Sequence, residues 1–398
     1  MSRTRTKSVP FPSGFYRFDG FGPGTPVTNN VSLLWDRHLC TDDVGKTVDH
    51  PLDLSHRLSS GISTINGQRT QPNGSIHTIF VNYVPSGVSC LNQTHVTLSA
   101  AGSTASAATY ALARSNPNRI GVGLPQFLYE LRDLPGLYRD IMAYKLNIKR
   151  LRTGNHPLGV HSAKEIANHY LAAQMGWLPL ISDIRKLLHF QSLVDKRLKE
   201  LERLYAKGGL KRRIRIPSDT TSGEFVDNQL PIHSSTGIQL DVKVQKYTLR
   251  ERWCTVRWTP TVLPSTRHTS KQLNSLARRL VLGLTFGQAG VQAWNLIPWT
   301  WLAGWCLNVD DYMSAHINTI PVNHSVINVM THTYTKETWT RTDGYRFTIT
   351  GGEGARIFET KARAQVSGAA LTATLPFLSQ RQLSILSSLA LQRIKLRR

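Results

Sequence analysis

The chain has 398 residues, 40% hydrophobic and 18% charged, and its 48 Lys and Arg against 25 Asp and Glu leave a formal charge of +23. This composition excludes a disordered chain, and the length exceeds what one hydrophobic core usually fills. The charge favours a polyanionic partner, which binds by releasing counterions.

The N-terminal stretch MSRTRTKSVPFPSGFYRF is basic and lacks the apolar core of a secretory signal. Residues 1 to 120 read as strands and turns, net +4. Ser75 to Val84 and His95 to Ala101 alternate apolar with polar residues, and breaks fall at Asn73-Gly74 and Pro85-Ser86-Gly87. His38, Cys40, Asp42, Asp43 and His50 lie close in sequence but without tight ligand spacing, so no metal site is expected. Cys40, Cys90, Cys254 and Cys306 form no CxxC pair and read as buried free thiols.

Helical periodicity begins at Pro125 and runs to about Arg152, broken at Pro135-Gly136, with Leu137, Ile141, Tyr144, Ile148 and Leu151 on one stripe. A second helix starts near Ser162, turns Ala163, Ile166, Ala167, Tyr170 and Leu171 inward, and ends at Gly176-Trp177-Leu178-Pro179. Ser182 or Asp183 then caps a third helix reaching about Lys207, which Gly208-Gly209 stops. Its expected buried stripe is Ile184, Leu187, Leu188, Val194, Leu198, Leu201 and Tyr205.

On an adjoining face lie Arg185, Lys196, Lys199, Arg203 and Lys207, interrupted by Glu200, and a basic loop with Lys211, Arg212, Arg213 and Arg215 follows. A row of cations one helical turn apart can track a phosphate backbone. Together with Lys149, Arg150 and Arg152 these are the candidate RNA-binding residues; a solvated helix face is the competing reading. Residues 121 to 215 hold 18 basic and 8 acidic side chains, net +10. Tyr138, Tyr144 and Tyr205 could stack on bases, but their stripe positions favour core.

Strand alternation returns at Gly237 to Thr259 through Ile238, Leu240, Val242 and Val244. Helix is expected from about Ser270 to His316. Leu280 to Val309 carries no charge and is long enough to span a bilayer, yet its amides, glycines and Pro298 favour buried core. Asp310-Asp311 point apart on a helix and suit a polar face better than a shared metal. Thr-rich strands fill Ser325 to Gln365, with a hairpin at Asp343-Gly344. A last helix, Leu375 to Leu396, places Leu383, Leu386, Ala390 and Ile394 on one face, and residues 371 to 398 hold 5 basic and no acidic side chains. The fold class expected is α+β. A strand-rich region would comprise 1–120, 216–270 and 321–370, net +7, and a helical region 121–215, 271–320 and 371–398. No HExxH, P-loop or nucleophile elbow occurs, so neither catalytic residues nor a cofactor are expected.

Tyr170 to Leu188, YLAAQMGWLPLISDIRKLL, resembles the maturation proteins of single-stranded RNA bacteriophages, in which a helix, a Gly-Trp-Leu-Pro-Leu break and a Ser-Asp-Ile capped helix recur. Asn295 to Met313 and the basic tail Leu383 to Arg398 are similar to two further family segments, in matching order. The resemblance implies an elongated, non-enzymatic virion protein, one copy per capsid, which replaces a coat-protein dimer. It would bind genomic single-stranded RNA including the 3′ end, attach to a bacterial pilus and accompany the RNA into the cell. The helical region would face RNA and the strand-rich region the host. Trp294, Trp299, Trp301 and Trp305 would then be core that joins the two regions, or, as a minority reading, would meet membrane during entry only. A cellular RNA-binding module and an RNA-processing enzyme are the alternatives.

Overall fold

The computed structural model describes residues 2–11, 15–18, 27–28, 33–43, 50–70, 76–131, 139, 142, 160–217, 220–233, 238–261, 270–297, 299–342, 348–373 and 379–393. Strands β1 to β7 are Ser2–Pro10, Phe15–Phe18, Val27–Thr28, Leu34–Asp43, Leu52–Ser60, Ile65–Thr70 and Ile76–Tyr83. Helices α1 (Thr104–Ser115), α2 (Leu124–Leu131), α3 (Val160–Leu171), α4 (Leu178–Leu188) and α5 (Phe190–Ala206) follow. Next come β8 (Leu210–Arg215), β9 (Thr220–His233) and β10 (Ile238–Pro260), then α6 (Ser270–Leu282), α7 (Ala289–Leu296), α8 (Thr300–Cys306) and α9 (Val309–Ala315). The chain closes with β11 (Val322–His324), β12 (Ile327–Arg341), β13 (Thr348–Thr350), β14 (Gly354–Val366) and α10 (Gln380–Arg393). The α+β class holds.

Two compact units are each assembled from three stretches of chain. The first unites 1–107, 213–255 and 326–367, and the second 108–212, 256–325 and 368–398. The first holds 20 Lys and Arg against 15 Asp and Glu, net +5; the second holds 28 against 10, net +18.

In the first unit an antiparallel sheet runs β1-β4-β5-β14-β12-β10, with β9 pairing the early part of β10. A second sheet runs β13-β6-β7-β2-β3. Alternation makes β10 two-faced: Leu240, Val242 and Val244 point inward and pack with Ile65, Phe80, Tyr83 and Trp339 from the other strands. Gly351 and Gly352 have φ near +90°, and the indole of Trp339 donates to the Gly352 carbonyl at 2.8 Å. A Cβ at Gly351 would strike the Thr64 carbonyl.

His95 to Ala101 is not a strand. It is a strap whose bonds go to side chains on one face of β10. Lys246 donates to Thr94 Oγ1 (3.1 Å), Val96 N–H to Thr248 Oγ1 (3.1 Å), Arg250 to the Ser99 carbonyl (2.8 Å) and Arg252 to the Gly102 carbonyl (2.7 Å). The two-residue step of a strand puts these four β10 residues on one face. His95 lies 2.6 Å from Thr335 Oγ1 and 3.2 Å from Thr360 Oγ1 and stacks on Phe358. Burial, aided by the charges of Lys246 and Arg57, pushes the imidazole from 6.5 down to about 4. The folded state therefore holds His95 neutral while the unfolded chain protonates it. Its stability contribution is full above pH 6.5 and is lost as pH falls toward about 4. His95→Gln should flatten this part of the stability profile, measured as denaturant midpoint against pH; an unchanged slope would refute it.

The second unit is helical, with a core of Val122, Val194, Leu201, Ala277, Leu280, Val281 and Ile320 that joins α5 to α6. Its organising loop is 116–119. Asn116 donates to the carbonyls of Ser314, Ala315 and Ile317, and Asn118 exchanges bonds with Ile320. These amides satisfy backbone groups that burial would otherwise orphan.

Several expectations are corrected. The helix does not end at Gly176-Trp177-Leu178-Pro179: a π-turn, Ala172–Trp177, carries α3 into α4, with Leu178 N–H reaching the Ala173 carbonyl. Proline has no N–H to donate and crowds the preceding turn, and widening to a π-turn accommodates it. Ser182 and Asp183 consequently lie inside α4, where Asp183 accepts from Lys186 at 2.6 Å, and the interruption falls at His189, φ −97°. Of the expected stripe, Leu187, Val194, Leu198, Leu201 and Tyr205 pack on one core, whereas Ile184 and Leu188 are exposed; Leu204 is buried as well. Lys211 to Arg215 is strand β8, not a loop, whereas Gly208 does adopt φ +56° just past α5.

Ile166 and Leu383 are exposed rather than inward, and α10 is capped by Ser379 and Gln382 with Ile385 and Ser388 buried. Within the stretch 1–120 expected as strands and turns, Thr104–Ser115 is instead the Ala-rich helix α1. The uncharged stretch 280–309 is cut into the end of α6, a 3₁₀ turn, α7 and α8, and among the described residues no helix is long and apolar enough to cross a membrane. Its tryptophans are not closed core: Trp299 is exposed, Trp294, Trp301 and Trp305 are half-buried, and Ile297 and Leu302 face solvent, because short helices cover only one side. Cys90 and Cys254 are buried, but Cys40 is half-buried and Cys306 exposed. The Asp343-Gly344 turn, most of the 132–152 helical reading and Ile394 lie outside the described residues.

Candidate nucleic-acid interface

α5 is amphipathic by position. Val194, Arg197, Leu201 and Leu204 are buried, and at about 100° per residue Lys196, Lys199, Arg203 and Lys207 occupy an arc of roughly 80° on the far side. All four are exposed, as are Arg185 on α4 and Lys211 at the start of β8. Among the described residues no carboxylate pairs with any of these six. They form the free cationic face of the second unit.

The remaining candidates divide. Arg212 turns to the half-buried side of β8 and bonds Glu200 at 2.6 Å, so it is committed to the fold. Arg213 and Arg215 belong to the first unit, where Arg213 lies over the Trp253 ring at 4.4 Å and Arg215 pairs with Glu251 at 2.7 Å. Lys149, Arg150 and Arg152 lie outside the described residues, as do Tyr138 and Tyr144. Tyr205 packs against the core, which removes it as a stacking platform.

Glu200 does not interrupt the row; it anchors it. Its carboxylate receives Arg119 at 2.8 Å, Arg212 at 2.6 Å and Arg197 at 3.3 Å. Arg197, 4% exposed, also donates to the carbonyls of Pro117 (2.6 Å) and Arg119 (2.9 Å). Burial pushes the Arg197 guanidinium down to about 9, with Arg119 adding to the effect and Glu200 opposing it. Burial alone would raise the Glu200 carboxyl, but the Arg119 hydrogen bond and the surrounding arginines hold it below its ordinary value. Three arginines and one carboxylate thus fix α5 to loop 116–119 and β8.

The sequence places a helix from Ser270, where α6 lies, but the candidates it yields omit the cations of α6. Lys271, Arg278 and Arg279 are exposed on it, no acidic residue lies in it, and it packs on α5. The run Ser270 to Leu282 carried the signal, but Asp310 and Asp311 reduce the net charge of 271–320 to +1 and hid it. A packed pair of helices bearing exposed cations, with few acids between, can bind a phosphate backbone without reading bases.

No protein-family model matches this chain, and no curated protein matches its sequence.

Proposed function

We propose that this chain is the maturation and attachment protein of a single-stranded RNA bacteriophage, present once per virion in place of a coat-protein dimer. Its second unit binds the genomic RNA, including the 3′ end, and its first unit meets a bacterial pilus. The chain then accompanies the RNA into the cell. The observation that carries the reading is the partition of charge, net +18 in the helical unit against +5 in the sheet unit, with a row of unpaired cations on α5. The resemblance of Tyr170 to Leu188 to phage maturation proteins supplies the virion context.

A cellular RNA-binding module would share the cation row but not the assembly. Co-expression with its cognate RNA and coat protein separates the two. The proposal expects RNA-filled particles that contain one copy of this chain and adsorb to piliated cells. Particles that exclude it, while it still binds RNA alone, would leave only the cellular module.

A further inference from the structure

In the first unit, β4 and β5 pair antiparallel so that His38 and His56 stand directly opposite, and Asp36, two residues along β4, shares their face. The two imidazoles stack with centroids 3.8 Å apart and planes 13° from parallel. Both direct Nε2 at one oxygen: His56 Nε2 is 3.0 Å and His38 Nε2 3.4 Å from Asp36 Oδ1. The three donor atoms all lie within 4.8 Å of one another. A tetrahedral ion with bonds of about 2.0 Å needs its ligands about 3.3 Å apart and sits in the plane of each imidazole, so the two stacked rings must swing apart to receive it.

The cluster of His38, Cys40, Asp42, Asp43 and His50 noted in the sequence is not what converges. Asp42 is taken by Arg3 and Arg5 at 2.9 Å each, and Cys40 is approached by Arg5. Only His38 joins the new set, which depends on a partner from β5 that local sequence could not supply.

The surroundings decide what this set suits. His56 Nδ1 faces Glu359 Oε2 on β14 at 3.8 Å, and Glu359 is itself held by His332 (2.7 Å) and Lys361 (2.6 Å). A neutral His56 has one N–H for two carboxylates. If it donates to Asp36, its bare Nδ1 faces Glu359; if it donates to Glu359, its bare Nε2 faces Asp36. A second proton or a metal ion at Nε2 removes this conflict, because either one joins Nε2 to Asp36 and leaves Nδ1–H turned toward Glu359. This is the arrangement in which a second carboxylate orients a metal-bound histidine.

We propose that Asp36, His38 and His56 form a three-ligand site for a divalent transition metal such as Zn²⁺. Glu359 orients His56, and the fourth position opens to solvent beside His38, whose side chain is 44% exposed. Two imidazoles and one carboxylate favour zinc-like ions over calcium or magnesium, which prefer all-oxygen shells. The ion would cross-link β4 to β5 and stabilise the sheet by mass action.

The test is calorimetric titration of the untagged full chain, stripped with chelator, with ZnCl₂ at pH 7.5. One site with a Kd of about 10 µM or tighter is expected. His38→Ala, His56→Ala and Asp36→Asn should each weaken it by about tenfold or more, as loss of a ligand does. His316→Ala, which removes an exposed imidazole of the second unit, should leave it within about twofold. Co²⁺ bound to the native chain should show ligand-field bands of a tetrahedral nitrogen and oxygen set. Circular dichroism checks each fold, and His38→Gln at the half-exposed position reports if His56→Ala unfolds. Binding weaker than about 100 µM, or equal affinity in folded His38 and Asp36 variants, overturns the site.

Discussion

Glu200→Gln should lower the stability of the second unit by about 3 to 5 kcal/mol, the cost of leaving a buried charge uncompensated. The carboxylate accepts from Arg119 and Arg197 and is ion-paired with Arg212, and Arg197 is 4% exposed. A neutral amide leaves three guanidiniums without a counter-charge, and its NH2 adds donors where only acceptors are wanted. Arg197→Met should also be strongly destabilising, for a different reason: the carbonyls of Pro117 and Arg119 lose their donor. Lys196→Ala, on the outer face, should stay within about 0.5 kcal/mol.

Acid should reproduce part of the Glu200 effect. The folded carboxyl sits below its unfolded value of 4.5, so its contribution is complete above pH 4.5 and is lost as pH falls through the folded value. Urea midpoints across pH 3 to 7 measure both effects. A Glu200→Gln midpoint indistinguishable from the parent would remove the anchor from the account.

The second large effect concerns binding. Reversing Arg185, Lys196, Lys199 and Arg203 to Glu should leave the fold intact, because all four are exposed and unpaired. It should weaken binding to single-stranded RNA on the order of a hundredfold near 0.1 M salt. The slope of log K against log salt should shrink by about 3, since each lost phosphate contact removes roughly 0.7 on a single strand. The loss should be similar across RNA sequences, because phosphate contacts carry no base information. Filter binding at several salt concentrations reads both quantities. An unchanged slope would show that RNA binds elsewhere. Adding Lys271, Arg278 and Arg279 to the reversal should deepen the loss if α6 shares the surface.

How much was legible follows from what each signal reports. Two-residue alternation found β7 and β10, Thr-rich composition found β12, and alternation misread the strap at His95 to Ala101, which alternates because it lies on a sheet face without joining the ladder. It passed over β9, most of which is exposed on both faces and so shows no alternation; Phe225 and Val226 are both open to solvent. Helical projection placed the cations of α5 correctly on the surface, because that depends only on spacing within one helix. It placed Leu187, Val194, Leu198, Leu201 and Tyr205 on the core side and misplaced Ile184 and Leu188, which lie in solvent at the end of α4.

Arg197 is legible as buried from spacing alone. It lies three residues after Val194 and four before Leu201, on the buried stripe, and an arginine there requires a carboxylate and carbonyls to receive it. What no spacing could supply is the identity of those partners. Loop 116–119 and β8 reach Glu200 and Arg197 only through the tertiary fold, as His56 reaches His38 only through the pairing of β4 with β5.

The central claim is that RNA lies against the helical unit. Ultraviolet cross-linking of the full chain to its RNA, followed by peptide mapping, tests it most directly. Cross-links should concentrate in residues 178–212 and 270–282, where the exposed cations lie, and vanish from 178–212 in the four-residue reversal. Cross-links concentrated instead in the strands of the first unit, β4, β5, β12 and β14, would contradict it.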